Sequence, residues 1–364
     1  MLISELMKYL DSRAPLRTAE SWDNVGLLVG DPQRVANKAL VALDVTPAAA
    51  RKALETGADL IVSHHPLIFN PLKQISDPLL LTLIENKIAV ICLHTNLDVA
   101  PGGVNHALAD ALGLEVTGQL SQETGSKWHH VVASVPAEQA WKVAEAAFAA
   151  GAGRIGNYAS CSTRHPVSGT FLPLYGAKPF TPGAESGKLS EVDEAELEFM
   201  ADDFTLPGVL AAIHASHPYE TPLIYHFPVA NANPAYALGL LGKFPGQPNL
   251  EEIAGLVKER LRCPHPILWR AEREPGFRPR RIAVCGGAGA SLLSQAQRGA
   301  DLYITGDLGY HRLLDSPIPL IDAGHFYTEF PVLERLASWL AKQGLDSYVL
   351  PLEEHDYPRR ISVF

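Results

Sequence analysis

Histidines and carboxylates in this chain recur directly after short apolar runs, where they could hold metal ions. Ser63-His64-His65-Pro66 follows the run Asp59–Ser63. In open parallel sheets, ligands bind beyond the carboxyl ends of strands. Adjacent strand residues point to opposite faces, but where the chain turns, neighbouring imidazoles can diverge toward two nearby points. Pro66 stiffens that turn by fixing its own φ and biasing His65 toward an extended conformation. Two imidazoles on one short loop suit two metal ions better than one; the plainer alternative is a polar loop.

Asp98, in His94-Thr95-Asn96-Leu97-Asp98, follows the run Ile88–Leu93 and can reach the same space. A carboxylate there can bridge two cations and offset their charge. As a cap for the helical pattern Val104–Leu112 it comes too early. His94 lies nearer the strand and is expected to orient a ligand or water. His325 and Glu329 follow a third run, Pro319–Asp322; standing four apart at a helix start, they project from one face. The expectation is a two-metal site built from His64, His65, Asp98, His325 and Glu329, drawn from both ends of the chain. Thr305-Gly306-Asp307 with Tyr310-His311 also follows a strand pattern, so Asp307 and His311 join His94 as candidate catalytic or pocket-lining groups.

Two further motifs bear on chemistry. Ser21-Trp22-Asp23-Asn24-Val25-Gly26 reads either as a loop orienting the site through Asp23 and Asn24 or as a capped turn entering a strand. The turn Gly286-Gly287-Ala288-Gly289 lacks both the Rossmann spacing and the P-loop Lys-Ser/Thr, which excludes a dinucleotide or Walker reading.

The elements that must position these groups follow from apolar patterning. In residues 1–125, strands at Ala39–Leu43, Asp59–Ser63 and Ile88–Leu93 alternate with helices at Pro47–Glu55, Leu79–Glu85 and Val104–Leu112. That rhythm predicts a parallel α/β sheet. Residues 235–364 repeat it: strands at Arg281–Cys285, Asp301–Thr305 and Pro319–Asp322, with helices at Ser291–Arg298 and Phe330–Gln343. The two ends together are expected to form one layered α/β domain. Residues 126–234 differ. His130–Val135 reads as a strand and Glu138–Ala150 as a helix; a Gly- and Pro-rich passage (151–187), a polar stretch, a helix at Leu206–Ser216 and a strand at Leu223–Pro228 follow. The order read here is strand–helix–strand–strand–helix–strand, and an inserted ferredoxin-like α+β domain of about 100 residues is expected, with hinges at 122–127 and 230–235.

With 364 residues, 47% hydrophobic and 19% charged, the composition is globular and long enough for roughly two domains. A net charge of −10 disfavours nucleic acid and anionic membranes as partners. No stretch approaches a membrane span, and the amphipathic N-terminus lacks a signal-peptide core. Cys92, Cys161, Cys263 and Cys285 show no C-x-x-C spacing, which argues against a disulfide framework and fits a reducing cytoplasm.

Taken in order, SWDNVGLLVG, VSHHPLIF, HTNLD, TGD with a following His, and GHxxTE resemble the GTP cyclohydrolase I type 2 homologues, also called Ngg-interacting-factor-like dinuclear metal centre proteins. The likeness covers residues 1–125 and 235–364. It implies two divalent ions per subunit, held by the same five residues; Phe326 stands where some members carry a second histidine. The middle section resembles the PII/CutA-like insert of longer members through Gly153–Tyr158 with Cys161, Gly169-Thr170-Phe171 and His217-Pro218-Tyr219-Glu220. The resemblance implies a homohexamer, a trimer of dimers with the metal sites facing inward.

Mixed imidazole–carboxylate ligation suits zinc, iron, manganese or cobalt, and metal-assisted hydrolysis is the expected chemistry. The family name implies attack at C8 of GTP, opening the imidazole ring. No phosphate cradle is evident, and Arg154 and Lys178 are the candidate phosphate donors. The alternatives are a dinuclear hydrolase of another substrate, or a metal-dependent regulatory or ligand-binding ring without turnover.

Overall fold

The computed structural model describes all residues except 122–126, 157, 233–235 and 361–364. Asn157 and most of the two expected hinges therefore lie outside the described residues. The chain forms two compact units, one from Met1–Gly125 with Tyr236–Phe364, the other from Ser126–Ala235.

The strands, in chain order, are β1 (Gly26–Val29), β2 (Lys38–Ala42), β3 (Leu60–Ser63), β4 (Ala89–Cys92), β5 (Glu115–Gln119), β6 (Lys127–Pro136), β7 (Ser162–Phe171) and β8 (Ser190–Asp202). They continue with β9 (Ile224–Ala232), β10 (Leu240–Lys243), β11 (Ile267–Trp269), β12 (Ile282–Ala288), β13 (Leu302–Gly306), β14 (Leu320–Asp322) and β15 (Asp346–Val349).

The first unit holds two sheets, one largely from each half of the expected layered domain, and both are mixed where parallel strands were expected. Five strands run in the order β1-β4-β3-β2-β15, and six in the order β11-β14-β13-β12-β10-β5. Parallel pairing links β15, β2, β3 and β4 in the first sheet and β12, β13 and β14 in the second. The edge strands β1, β5 and β11, and β10 between β12 and β5, pair antiparallel. Alternation places successive strand residues on opposite faces. Leu60 and Val62 join a large core, while Ile61 joins a separate cluster with the helix Pro47–Thr56. The large core also takes Val284, Ile304 and Ile321 from the second sheet and Val104, Leu108, Leu333 and Leu336 from two helices. Both chain ends therefore bury one common core.

Two local expectations need correction. The glycines at 286 and 287 belong to β12, which extends to Ala288 through a register irregularity; the turn begins at Gly289. The helix expected from Phe330 starts at Val332, after Pro331, and the short helix His325–Glu329 precedes it. In the second unit, the two strands expected between the helices are β7, in part of the Gly- and Pro-rich passage, and the long β8, over the polar stretch.

In β8, Ala195, Leu197, Phe199 and Ala201 are buried while the intervening glutamates are not. This is a period-two pattern with charges on its outer face. The second unit's four strands run β7-β8-β6-β9, all antiparallel. Its helices Ala140–Ala149 and Leu206–Ser216 pack with that sheet in one apolar cluster.

Candidate metal centre

The site forms where β2, β3, β4, β13 and β14 end. β3 stops at Ser63, and His64 and His65 leave it on a short loop. His64 is fully buried, and its Nδ1 donates to the Leu93 carbonyl at 2.9 Å. His65 Nδ1 donates to the Asp44 carboxylate, just beyond β2, at 2.8 Å. Past β14, His325 opens its short helix and donates through Nδ1 to Asp307 at 2.7 Å. With Nδ1 protonated and engaged, each neutral ring presents an Nε2 lone pair. This is the arrangement that prepares an imidazole to bind a metal.

The three Nε2 atoms converge on Glu329. Glu329 Oε1 lies 3.1 Å from His325 Nε2 and 3.5 Å from His64 Nε2, and Oε2 lies 3.0 Å from His65 Nε2. Asp98, on the short helix Thr95–Val99, brings Oδ1 to 3.6 Å from His64 Nε2. Yet His64 Nε2, His65 Nε2, Asp98 Oδ1 and Glu329 Oε2 are buried without a hydrogen-bond partner. At 3.0 Å, the His65–Glu329 contact has the separation of a hydrogen bond but not its geometry. Buried polar atoms are nearly always satisfied, and leaving them unmatched costs about 1–3 kcal/mol each. Imidazole and carboxylate atoms packed this way call for positive charge between them, as protons on the rings or as a metal ion.

The electrostatics agree. Burial opposes charge on His65, but Asp44 and Glu329 overcome it and lift its pKa to about 10. Burial is likewise outweighed at His325, lifted to about 9 by Glu329 and Asp307. The surrounding imidazoles hold Glu329 well below the ordinary carboxylate range despite burial, whereas burial lifts Asp98 to about 6. The pocket thus demands positive charge. His64, His65 and Glu329 form a group able to hold a metal ion. Their imidazole and carboxylate donors fit a transition-metal ion or zinc.

Space for Glu329 comes from β12. A Cβ on Gly287, whose φ is +65°, would lie 2.2 Å from Glu329 Oε1 and 3.3 Å from His325 Nε2. The Gly287 N–H donates to Thr328 Oγ1 at 2.9 Å, tying β12 to the helix that carries Glu329. Asn105 links the other side, donating to the Asp98 carbonyl and accepting from the Gly286 N–H.

The remaining candidates fall at different depths. His94 stands beside the cluster, its ring 5.4 Å from that of His64 and 5.6 Å from that of His65. Its Nδ1 donates to Asp23 at 2.9 Å. Asp23 also accepts from Thr95, and Asn24 donates to the Ile68 carbonyl, so the 20–24 loop spans two of the strand-end junctions. Asp307 serves His325 directly. His311 is exposed and packs edge-on against Tyr310; among the described residues, no hydrogen bond or ion pair joins it to the cluster. Phe326 is buried and stacks on Tyr357. Asp44, Gly287, Thr328 and Asn105 were not anticipated. For Asp44 a signal existed, since it too directly follows a strand. Arg154 and Lys178 belong to the second unit.

The model of the Duf34/NIF3 (NGG1p interacting factor 3) family matches residues 1–356. A Staphylococcus epidermidis protein named GTP cyclohydrolase 1 type 2 homolog is 35% identical over 350 residues, covering 94% of this chain and 93% of its own. A Staphylococcus aureus protein of the same name is 36% identical over 348 residues, 93% of each chain. Among solved structures, a Bacillus cereus protein related to NIF3 superposes with a TM-score of 0.81 at 32% identity, over 96% of each chain. The Staphylococcus aureus protein SA1388 does so at 0.73 and 30%, also over 96% of each.

Proposed function

The chain belongs to the Duf34/NIF3 family, and we propose that it is a metal-dependent hydrolase holding two divalent ions among His64, His65, Asp98, His325 and Glu329. One observation carries this reading: His64, His65 and Glu329 bring ligand atoms within 4.8 Å of one another, and their buried Nε2 and Oε2 atoms, with the neighbouring Asp98 Oδ1, have no hydrogen-bond partner. Two ions such as zinc, iron or manganese would lower the pKa of water toward neutrality and stabilise negative charge on the attacked group.

The protein groups would do the rest. Asp44, Asp307 and the Leu93 carbonyl hold three imidazoles in the tautomer that offers Nε2. Glu329 faces all three, which supports a bridging role. Asp23 keeps a proton on His94 Nδ1, leaving Nε2 beside the cluster to accept or return a proton. The proposed substrate is a purine nucleotide, GTP in the first instance, with one water added at C8 to open the imidazole ring to a formamide and a second to release C8 as formate. The name of the relatives, GTP cyclohydrolase 1 type 2 homolog, supports that choice.

We further read the second unit as an inserted ferredoxin-like, PII/CutA-like domain, which its strand order and two helices support. Assembly is proposed as a homohexamer, a trimer of dimers, in the cytoplasm; free cysteines fit a reducing compartment. Among the described residues, no helix is long and apolar enough to cross a membrane. One observation favours a second reading, a ligand-binding ring without turnover: the second unit encloses a cavity of about 660 Å³ between Val167, Phe180, Glu194 and Tyr219.

Metal analysis with a GTP assay tests the reading. Expected are two ions per chain, release of formate and a ring-opened product, and loss of both products in Asp98→Ala with assembly intact. Light scattering checks the hexamer. A single ion per chain removes the two-metal reading. Two ions without turnover of any nucleotide favour the ligand-binding ring.

A further inference from the structure

Two aromatic side chains at the rim of the metal centre have no packing role that accounts for them. Trp22 is 56% exposed and Phe69 49% exposed, whereas Trp339 in the same unit is 1% exposed. Large apolar rings left in water forgo the stabilisation that burial would bring, and exposed aromatic surface commonly marks a contact site. The two rings pair at 5.8 Å, tilted by 37°. Trp22 also meets the His94 ring edge-on at 6.2 Å, and His94 in turn sits between this pair and the rings of His64 and His65.

The loop carrying Trp22 is held firmly. Asp23 takes hydrogen bonds from His94 and Thr95, the Glu20 N–H donates to Thr95 Oγ1, and Asn24 reaches the Ile68 carbonyl beside Phe69. These bonds fix a bare indole at a set distance from the cluster.

We propose that Trp22 and Phe69 form the platform on which the planar heteroaromatic ring of the substrate stacks, setting that ring against His94 and the metal centre. The inference rests on the hydrolase reading above and adds its specificity. The substrate class is a purine-type base or its close analogue, recognised by its π-face, and the platform is indifferent to the phosphate end. Leu72 and Ile75 are exposed on the loop that carries Phe69, but neither has a ring to offer, so the stacking contact belongs to the aromatic pair.

The test titrates guanosine and ribose 5-phosphate by calorimetry into metal-loaded, full-length protein. It compares wild type with Trp22→Ala, Trp22→Phe and Phe69→Ala, with metal content and oligomeric state measured alongside. Trp22→Ala is expected to weaken guanosine roughly ten-fold or more, the weight of one base–aromatic stack. Phe69→Ala should weaken it less, and Trp22→Phe should restore most of the affinity. Ribose 5-phosphate binding and metal content should be equal in all four proteins. Wild type that does not bind guanosine, or Trp22→Ala that binds it equally well, overturns the platform. Altered assembly in Trp22→Ala with unchanged guanosine affinity also overturns it and assigns the rings to an interface between copies. Failure of the hydrolase reading looks different: wild type lacking metal or turnover, yet binding guanosine through Trp22, leaves the platform standing.

Discussion

At the residue scale, the centre depends as much on the groups behind the imidazoles as on the donors themselves. Asp44 is the clearest case, because it alone orients His65 by a bond to Nδ1. Carboxylates in that position commonly carry 10–100-fold in metal affinity. Asp44→Asn should therefore weaken metal binding by about that factor, as read by competition against a chelator, while the fold persists. Asp23 shows a related effect in stability. Burial opposes its ionisation, but hydrogen bonds from His94 and Thr95 dominate and hold its pKa at about 2, against an ordinary 3.8. A depressed carboxyl stabilises the fold above its unfolded value and loses that contribution as pH falls through the folded one. Melting temperature plotted against pH should thus drop between about 4 and 2 in wild type, and Asp23→Asn should flatten that limb. An identical acid limb in both proteins would refute the assignment.

At the element scale, β12 is shaped around the site. Its glycine at 287 adopts φ +65°, where a side chain costs about 1–2 kcal/mol for backbone conformation alone. The added methyl would also meet Glu329 Oε1 at 2.2 Å. Gly287→Ala should therefore lower the melting temperature and strip metal from the protein together. A variant that melts lower but keeps its full metal content would show that Glu329 can move aside. The same element explains an error of reading. Two adjacent glycines suggest a turn, and only the pairing of β12 with β10 and β13 reveals a strand that gives up side chains to admit a carboxylate. β8 is the opposite case: the alternation of Ala195, Leu197 and Phe199 with glutamates is a strand signal carried by the chain itself.

At the scale of the whole molecule, the two chain ends are bound by one core. Leu60, Val62 and Ile91 share it with Val284, Ile304 and Leu336. A fragment holding residues 1–121 would leave one side of that core in water. Expressed alone it should show no cooperative thermal transition, and a sharp transition would contradict the shared core. The proposed metal donors divide in the same way, with His64, His65 and Asp98 from the first sheet's strand ends and His325 and Glu329 from the second's.

The donor chemistry was legible in the linear order of residues, because imidazoles and carboxylates directly after β-branched runs fall at strand ends whatever the partner strands are. Helices such as Val104–Leu112 and Leu206–Ser216 were legible because amphipathic spacing is local. Sheet membership was not, since a short apolar strand reads the same in either sheet and pairing is settled by contacts far apart in the chain. The tertiary structure alone decided that the strand ends of the two sheets meet at one site. It also placed Asp44 behind His65 and Gly287 beneath Glu329. Each of these depends on the common core, which brings side chains more than 200 positions apart within 4 Å of one another.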